Sequence, residues 1–146
     1  LDLLGRKVTQ RGGASLAELG RAVTSTIEQA TAAGSEAAEL AGQLSTSWQR
    51  LVEVTGAMFA AGDLEAALAN SAVYLEAFGH VVVAWIWLEQ FVTADRHDGD
   101  FSSDFYEGKR QAARYFFRYE LPRTAPQLDL LATLDRTTME MRDAWF

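Results

Sequence analysis

The chain has 146 residues, no cysteine and a formal charge of −7. That length fits one domain, and the missing cysteines remove disulfides, thiolate metal sites and thiol nucleophiles together. The acidic balance argues against a nucleic-acid partner, which would want a basic surface.

The chain opens on Leu1-Asp2-Leu3-Leu4-Gly5-Arg6-Lys7-Val8, an apolar stretch with helical patterning that reads as the end of a longer helix. No signal-peptide order of basic run, apolar run and cleavage site precedes it, and a cytoplasmic location is expected. A glycine turn at Gln10-Arg11-Gly12-Gly13 follows. The expected division is 1–13 as the tail of a preceding helix and 14–146 as a helical domain.

Alanine and leucine recur at helical spacing, and no period-two alternation is sustained. The predicted fold is therefore all-α, an antiparallel bundle of about four main helices plus a short C-terminal helical segment. Ser15-x-x-Glu18 predicts a capping box at the start of the first helix, with Leu16, Leu19, Val23 and Ile27 facing inward and an end near Ala33-Gly34. Ser35 is the expected cap of the second helix, whose inner face reads Leu40, Leu44, Trp48, Leu51, Thr55 and Met58. Gly62 stops it and Asp63 caps the third.

The third helix is predicted as one rod from about Leu64 to about Val92. Leu68, Ser71, Leu75, Phe78, Val82, Trp85, Glu89 and Val92 step by threes and fours, the spacing of a bundle seam. The other side is apolar too, through Val73, Ala77, Val83, Ala84, Trp87 and Phe91. Such a helix needs cover all round, so the Val83, Trp87 and Phe91 face is expected to meet either another helix of the chain or a partner. The run Val81–Leu88 is too short for a membrane span, which takes roughly 20 apolar residues.

A polar loop, Asp95-Arg96-His97-Asp98-Gly99-Asp100, leads to Asp104-x-x-Glu107, a second expected capping box. The fourth helix follows through Phe105, Tyr106, Ala112, Ala113, Phe116, Phe117 and Leu121, with a kink or break at Pro122. Leu128, Leu131, Leu134, Met139 and Met141 mark a last helical segment closing on Trp145-Phe146.

Charge is unevenly spread. Between Ala22 and Ala94 Arg50 is the only base against eight acids. Arg110, Arg114 and Arg118 then form one row at four-residue spacing. This row reads either as an anion site, for nucleotide or coenzyme A phosphates, or as the counterpart of the third-helix acids. A fold-back about Gly99 would bring Glu89 near Lys109 or Arg110, and Glu76 and His80 near Arg118. The second reading weighs more, since a carboxylate on an apolar seam is costly unless paired.

Glu76 and His80 share a face, but no third polar group at fixed spacing makes them a proton-transfer pair. His80 and His97 have Ala77 and Ala94 three positions before them, so the Glu-x-x-His pairs of a di-iron bundle are lacking. Asp95, Asp98, Asp100 and Asp104 lack the loop length, central glycine and final glutamate of an EF-hand. No metal ligand set and no catalytic residue is assigned.

Two blocks carry a resemblance: Tyr74-Leu75-Glu76-Ala77-Phe78-Gly79-His80-Val81-Val82-Val83-Ala84-Trp85-Ile86-Trp87, and Asp104-Phe105-Tyr106-Glu107-Gly108-Lys109-Arg110-Gln111-Ala112-Ala113-Arg114-Tyr115-Phe116-Phe117. Both resemble the C-terminal helical extension of longer bacterial acyl-CoA dehydrogenases, the group similar to methylmercaptopropionyl-CoA dehydrogenase. The opening residues resemble the junction with the preceding bundle.

The resemblance implies an FAD-dependent parent enzyme that oxidises acyl-CoA to enoyl-CoA, a step in fatty acid metabolism. Its glutamate base lies in a Glu-Gly-Thr motif followed shortly by Ile-Gln, which by the family pattern falls before Leu1. No catalytic residue and no FAD contact is therefore carried onto these positions, and no bound cofactor is expected. The implied partners are the rest of the parent dehydrogenase and a second subunit. The alternative is a free-standing helical module for an acyl or other apolar ligand.

Overall fold

A computed structural model describes residues 13–96 and 101–146, without the side chains of Leu64 and Ala67. The opening stretch before Gly13, His97, Asp98, Asp100 and the turn expected at Gly99 lie outside the described residues. Six α-helices follow in order: α1 Ala14–Ala33, α2 Ser35–Ala60, α3 Leu64–Ala69, α4 Ser71–Arg96, α5 Ser103–Tyr115 and α6 Thr124–Ala132. No strand occurs among the described residues, so the all-α bundle stands.

α1 and α2 are joined through the single residue Gly34 and form an antiparallel hairpin. Its close approach depends on Gly20, where an added Cβ would lie 3.3 Å from the Trp48 ring. The inner face of α2 is as expected, with Leu40, Leu44, Trp48, Leu51, Thr55 and Met58 all buried, and with Ala37, Ala41 and Val54 beside them. α1 turns a little further than its leucines suggest. Val23, Thr26 and Ala30 are its buried residues, while Leu16, Leu19 and Ile27 pack partly against the core. Thr26 tolerates burial because its hydroxyl is bonded on several sides, as described below.

Helix starts differ from the sequence expectation at three places. α1 begins after Gly13 and α2 after Gly34, neither with a side-chain cap; Ser15 and Ser35 are already helical. α5 is capped by Ser102, whose hydroxyl accepts from the Phe105 N–H at 3.3 Å, not by Asp104. Serine at an N-cap and aspartate in the first turn both suit a helix start, and the earlier residue took the cap. Asp63 caps α3 as expected, accepting from the Ala66 N–H at 3.0 Å.

The third helix is not one rod. It breaks at Asn70 into α3 and α4. The Asn70 carbonyl accepts from the Tyr74 N–H at 3.1 Å, starting α4, and its amide donates to the Asp135 carbonyl at 2.8 Å. That side-chain bond ties the turn to the chain beyond α6.

α4 is the centre of the bundle and contacts α1, α2, α5 and α6. Its buried residues are Tyr74, Ala77, Val81, Ala84, Leu88, Phe91, Val92 and Ala94. This seam is rotated from the expected one. Leu75, Phe78, Val82 and Trp85 are only half-buried, and Glu89 is exposed. A helix apolar all round gives no direction of its own; its neighbours fix the rotation. By length and composition alone α4 could cross a membrane, yet here its seam packs inside a bundle.

α5 runs antiparallel to α4, bringing Arg110 to the Ala94 carbonyl and Phe116 to His80. A π-helical turn, Phe116–Glu120, and a 3-10 turn, Leu121–Arg123, then lead into α6. Pro122 sits in the 3-10 turn. It has no N–H to give, and the rod bends there rather than ending, so that Leu121, Leu128 and Leu131 stay buried. α6 ends with Leu134 in the left-handed region at φ 52°, its side chain packed on the core. The predicted last segment is therefore cut short. Met141, Trp145 and Phe146 lie exposed, with only a 3-10 turn at Asp143–Trp145.

Candidate functional site

Among the described residues, three polar clusters bear on the groups that the sequence singles out, each set up by the helix that carries it. The first is the arginine row. Arg114 donates from Nε and Nη2 to the two Glu36 oxygens at 2.6 and 3.0 Å, and from Nη1 to Glu107 at 2.6 Å. This fork-on-fork contact clasps the end of α5 to the start of α2. The Arg114 hydrogen bond holds the Glu36 carboxyl below the usual carboxylate range. Those of Arg114 and Arg110 do the same for Glu107.

Arg110 pairs with Glu107 at 2.8 Å and also donates to the Ala94 carbonyl. The row is thus largely consumed by acids, as one sequence reading expected, but the short contacts are to acids on α2 and on α5 itself, and α4 contributes only Asp95, 3.9 Å from Arg110. Glu89 does not meet Lys109 or Arg110; it points to α1 and accepts from the Thr26 hydroxyl at 3.1 Å. The rotation of α4 accounts for the change. Arg118 makes no ion pair among the described residues. It lines a cleft of about 460 Å³ with Glu36, Glu39, Leu40, Phe117 and Pro122.

The second place is around His80. Its Nδ1 lies 2.9 Å from the Glu76 backbone carbonyl, not from the Glu76 carboxylate. Its Nε2 is 3.7 Å from Glu120, and its ring stacks on Phe116. Glu120, which the sequence did not connect to His80, is the carboxylate that faces it. The π-helical turn delivers it there. The four-residue spacing of Glu76 and His80 thus marks a backbone contact and no proton-transfer pair.

The third is a relay between α1 and α4. The Trp85 indole donates to Thr26 Oγ1 at 2.8 Å, and that hydroxyl reaches Glu89 at 3.1 Å and the Ala22 carbonyl at 3.2 Å. Each of these groups has a partner, and the set fastens two helices together. Among the described residues no three His, Cys, Asp or Glu side chains gather as a metal site.

Flavin adenine dinucleotide would need a cradle for its diphosphate. The cleft beside Arg118 carries Glu36 and Glu39 at its rim, with Arg114 already engaged. Carboxylates at that rim repel a diphosphate, so these residues do not fit the cofactor.

The back of α4 and the neighbouring side of α5 form one exposed apolar face. Val83, Ile86 and Phe105 are 39, 41 and 44 % exposed. The sequence placed Val83, Trp87 and Phe91 together on one face, to be covered by another helix of the chain or by a partner. The structure separates them. Phe91 is core, Trp87 is half-buried against Lys109 of α5, and Val83 remains outside. A groove of about 300 Å³ runs along this face past Ile86, Gln90, Phe105 and Lys109. The Lys109 ammonium stands 5.9 Å from the Trp87 ring and 5.6 Å from the Phe105 ring.

The fold and surface define a helical-bundle domain with an exposed apolar face. The family model for "Acetyl-CoA dehydrogenase C-terminal like" matches residues 19–142. The chain belongs to that family. No curated protein matches it.

Proposed function

We propose that this domain is the C-terminal helical part of an FAD-dependent acyl-CoA dehydrogenase similar to the methylmercaptopropionyl-CoA group, and that its role there is structural. The family membership supports the first half. The observation that carries the second is the exposed Val83, Ile86 and Phe105 face beside an otherwise packed core. In this reading the flavin and the acyl-CoA are held by the rest of the parent, and this domain docks through that face on the body of the enzyme or on another subunit. Residues 1–13 join it to the preceding bundle.

A module that takes an acyl chain between its helices finds less support. Tyr74, Phe117, Leu44, Leu51, Leu88 and Leu128 fill the space between the helices, each less than 2 % exposed.

The coding region before Leu1 tests the reading. An in-frame Glu-Gly-Thr followed shortly by Ile-Gln is expected there; a start codon close before Leu1 would contradict it.

A further inference from the structure

The α4–α5 face has a shape and a charge pattern that answer each other. Along the back of α4 run Ala72, Glu76, Gly79, Val83, Ile86 and Gln90, at the three-and-four spacing of one helical face. Gly79 is a notch in this stripe, since a Cβ placed there would meet nothing within 4 Å. Val83 is the knob one turn further on, 39 % exposed.

Two charges border the stripe. Glu76 makes no ion pair among the described residues; only its backbone carbonyl is used, by His80. Lys109 likewise makes no ion pair among the described residues and leans over Trp87 and Phe105. Both lie on the α5 side of the stripe. They are separated along α4 by the distance from Glu76 to Trp87, about 16 Å at 1.5 Å per residue.

We propose that this face binds a second copy of the same chain, α4 against antiparallel α4. This rests on the docking reading above and names its partner. A twofold axis perpendicular to α4, passing between Gly79 and Val83 in the plane of contact, sets Val83 of each copy over Gly79 of the other. The same axis sets Ile86 against the Glu76 stem and keeps both α5 helices on one side. Lys109 of each copy then comes level with the Glu76 carboxylate of the other. Every contact occurs twice, as an isologous interface requires. The pairing covers Val83 and Ile86 and gives each open charge an opposite one, where a like charge would repel.

A parallel arrangement lacks this match. It would set Glu76 level with Glu76 and put the two α5 helices on opposite flanks, so that Lys109 of one copy meets no carboxylate of the other.

Sedimentation velocity of the 146-residue chain at rising concentration tests the pairing, with circular dichroism as the check on folding. The mass should climb from 16.1 kDa towards twice that value. Gly79→Leu fills the notch and favours the helix itself, so it should weaken association about tenfold or more while leaving the chain folded. Glu76→Lys and Lys109→Glu should each weaken association about tenfold by placing like charges together, and the double reversal should restore it.

A chain that stays at 16.1 kDa at every concentration overturns the pairing, as does a double reversal no better than the single ones. Either result leaves the docking reading intact if Val83→Glu with Ile86→Glu still loosens the parent dehydrogenase. If those two changes leave the parent untouched, the docking reading fails as well.

Discussion

At the scale of single residues, buried polar groups decide more than the exposed charges do. Thr55 donates its one hydroxyl proton to the Leu51 carbonyl at 2.7 Å. The Tyr74 hydroxyl, 2.8 Å away, must therefore be the donor between the two. Burial raises the Tyr74 phenol above its usual pKa, with the Thr55 bond pulling the other way, so it remains the proton carrier that this bond needs. Tyr74→Phe should cost about 0.5–1.5 kcal/mol, read by urea denaturation. No loss would mean that the two hydroxyls do not bond. The Thr55–Tyr74 bond was not legible in the sequence. Thr55 sat correctly on the inner face of α2, but a hydroxyl's partner nineteen residues away depends on how two helices are rotated, and spacing within one helix says nothing about that.

At the scale of elements, rotation was the hidden quantity. Where one face is clearly apolar, as in α2, the sequence showed which residues are inside. Where a helix is apolar all round, as in α4, spacing alone allowed several seams. The expected one, through Leu75, Val82 and Glu89, lies beside the true one through Tyr74, Val81 and Leu88. Truncation separates the two. Leu88→Ala should cost about 2–5 kcal/mol, the range for a buried leucine in a packed core. Val82→Ala, at half burial, should cost about 1 kcal/mol or less. Equal losses in denaturant titrations would refute the observed rotation.

The arginine row belongs to the same scale. The four-residue spacing correctly placed the arginines in one row, but its main acid, Glu36, came from a different helix than the one expected. Glu36 and Glu107 titrate lower in the folded chain than in the unfolded one. Their contribution to stability is therefore complete above the ordinary carboxylate value of about 4.3 and is lost as pH falls through the lowered folded values. The melting temperature of the natural chain should drop over that acid range, and Arg114→Met should flatten the drop. An unchanged slope in the variant would show that the α2–α5 clasp does not contribute.

At the scale of the whole molecule, the bundle uses α2 and α4 as its contacting diagonal, with α1 on one side and α5–α6 on the other. That arrangement covers α4 on three sides and leaves its back open. The sequence announced the surplus of apolar surface on α4 and the need for something to cover it. It also named Phe91 as part of that surface, and the structure places Phe91 in the core. The all-α class, the glycine stop at Gly62 and the Asp63 cap were readable because they rest on local chemistry. The break at Asn70 and the bend through the π-helical turn were not, since both answer to contacts made with distant segments.

The central claim is that the open face of α4 holds this domain in place within a larger dehydrogenase. The most direct measurement is the melting temperature and subunit count of the parent enzyme carrying Val83→Glu and Ile86→Glu. Both positions are exposed in the domain, so the changes spare its own core. The expected result is a parent with a lower melting temperature or fewer subunits, while the 146-residue chain with the same changes keeps its helical content. A parent that retains both its subunit count and its melting temperature would contradict the claim.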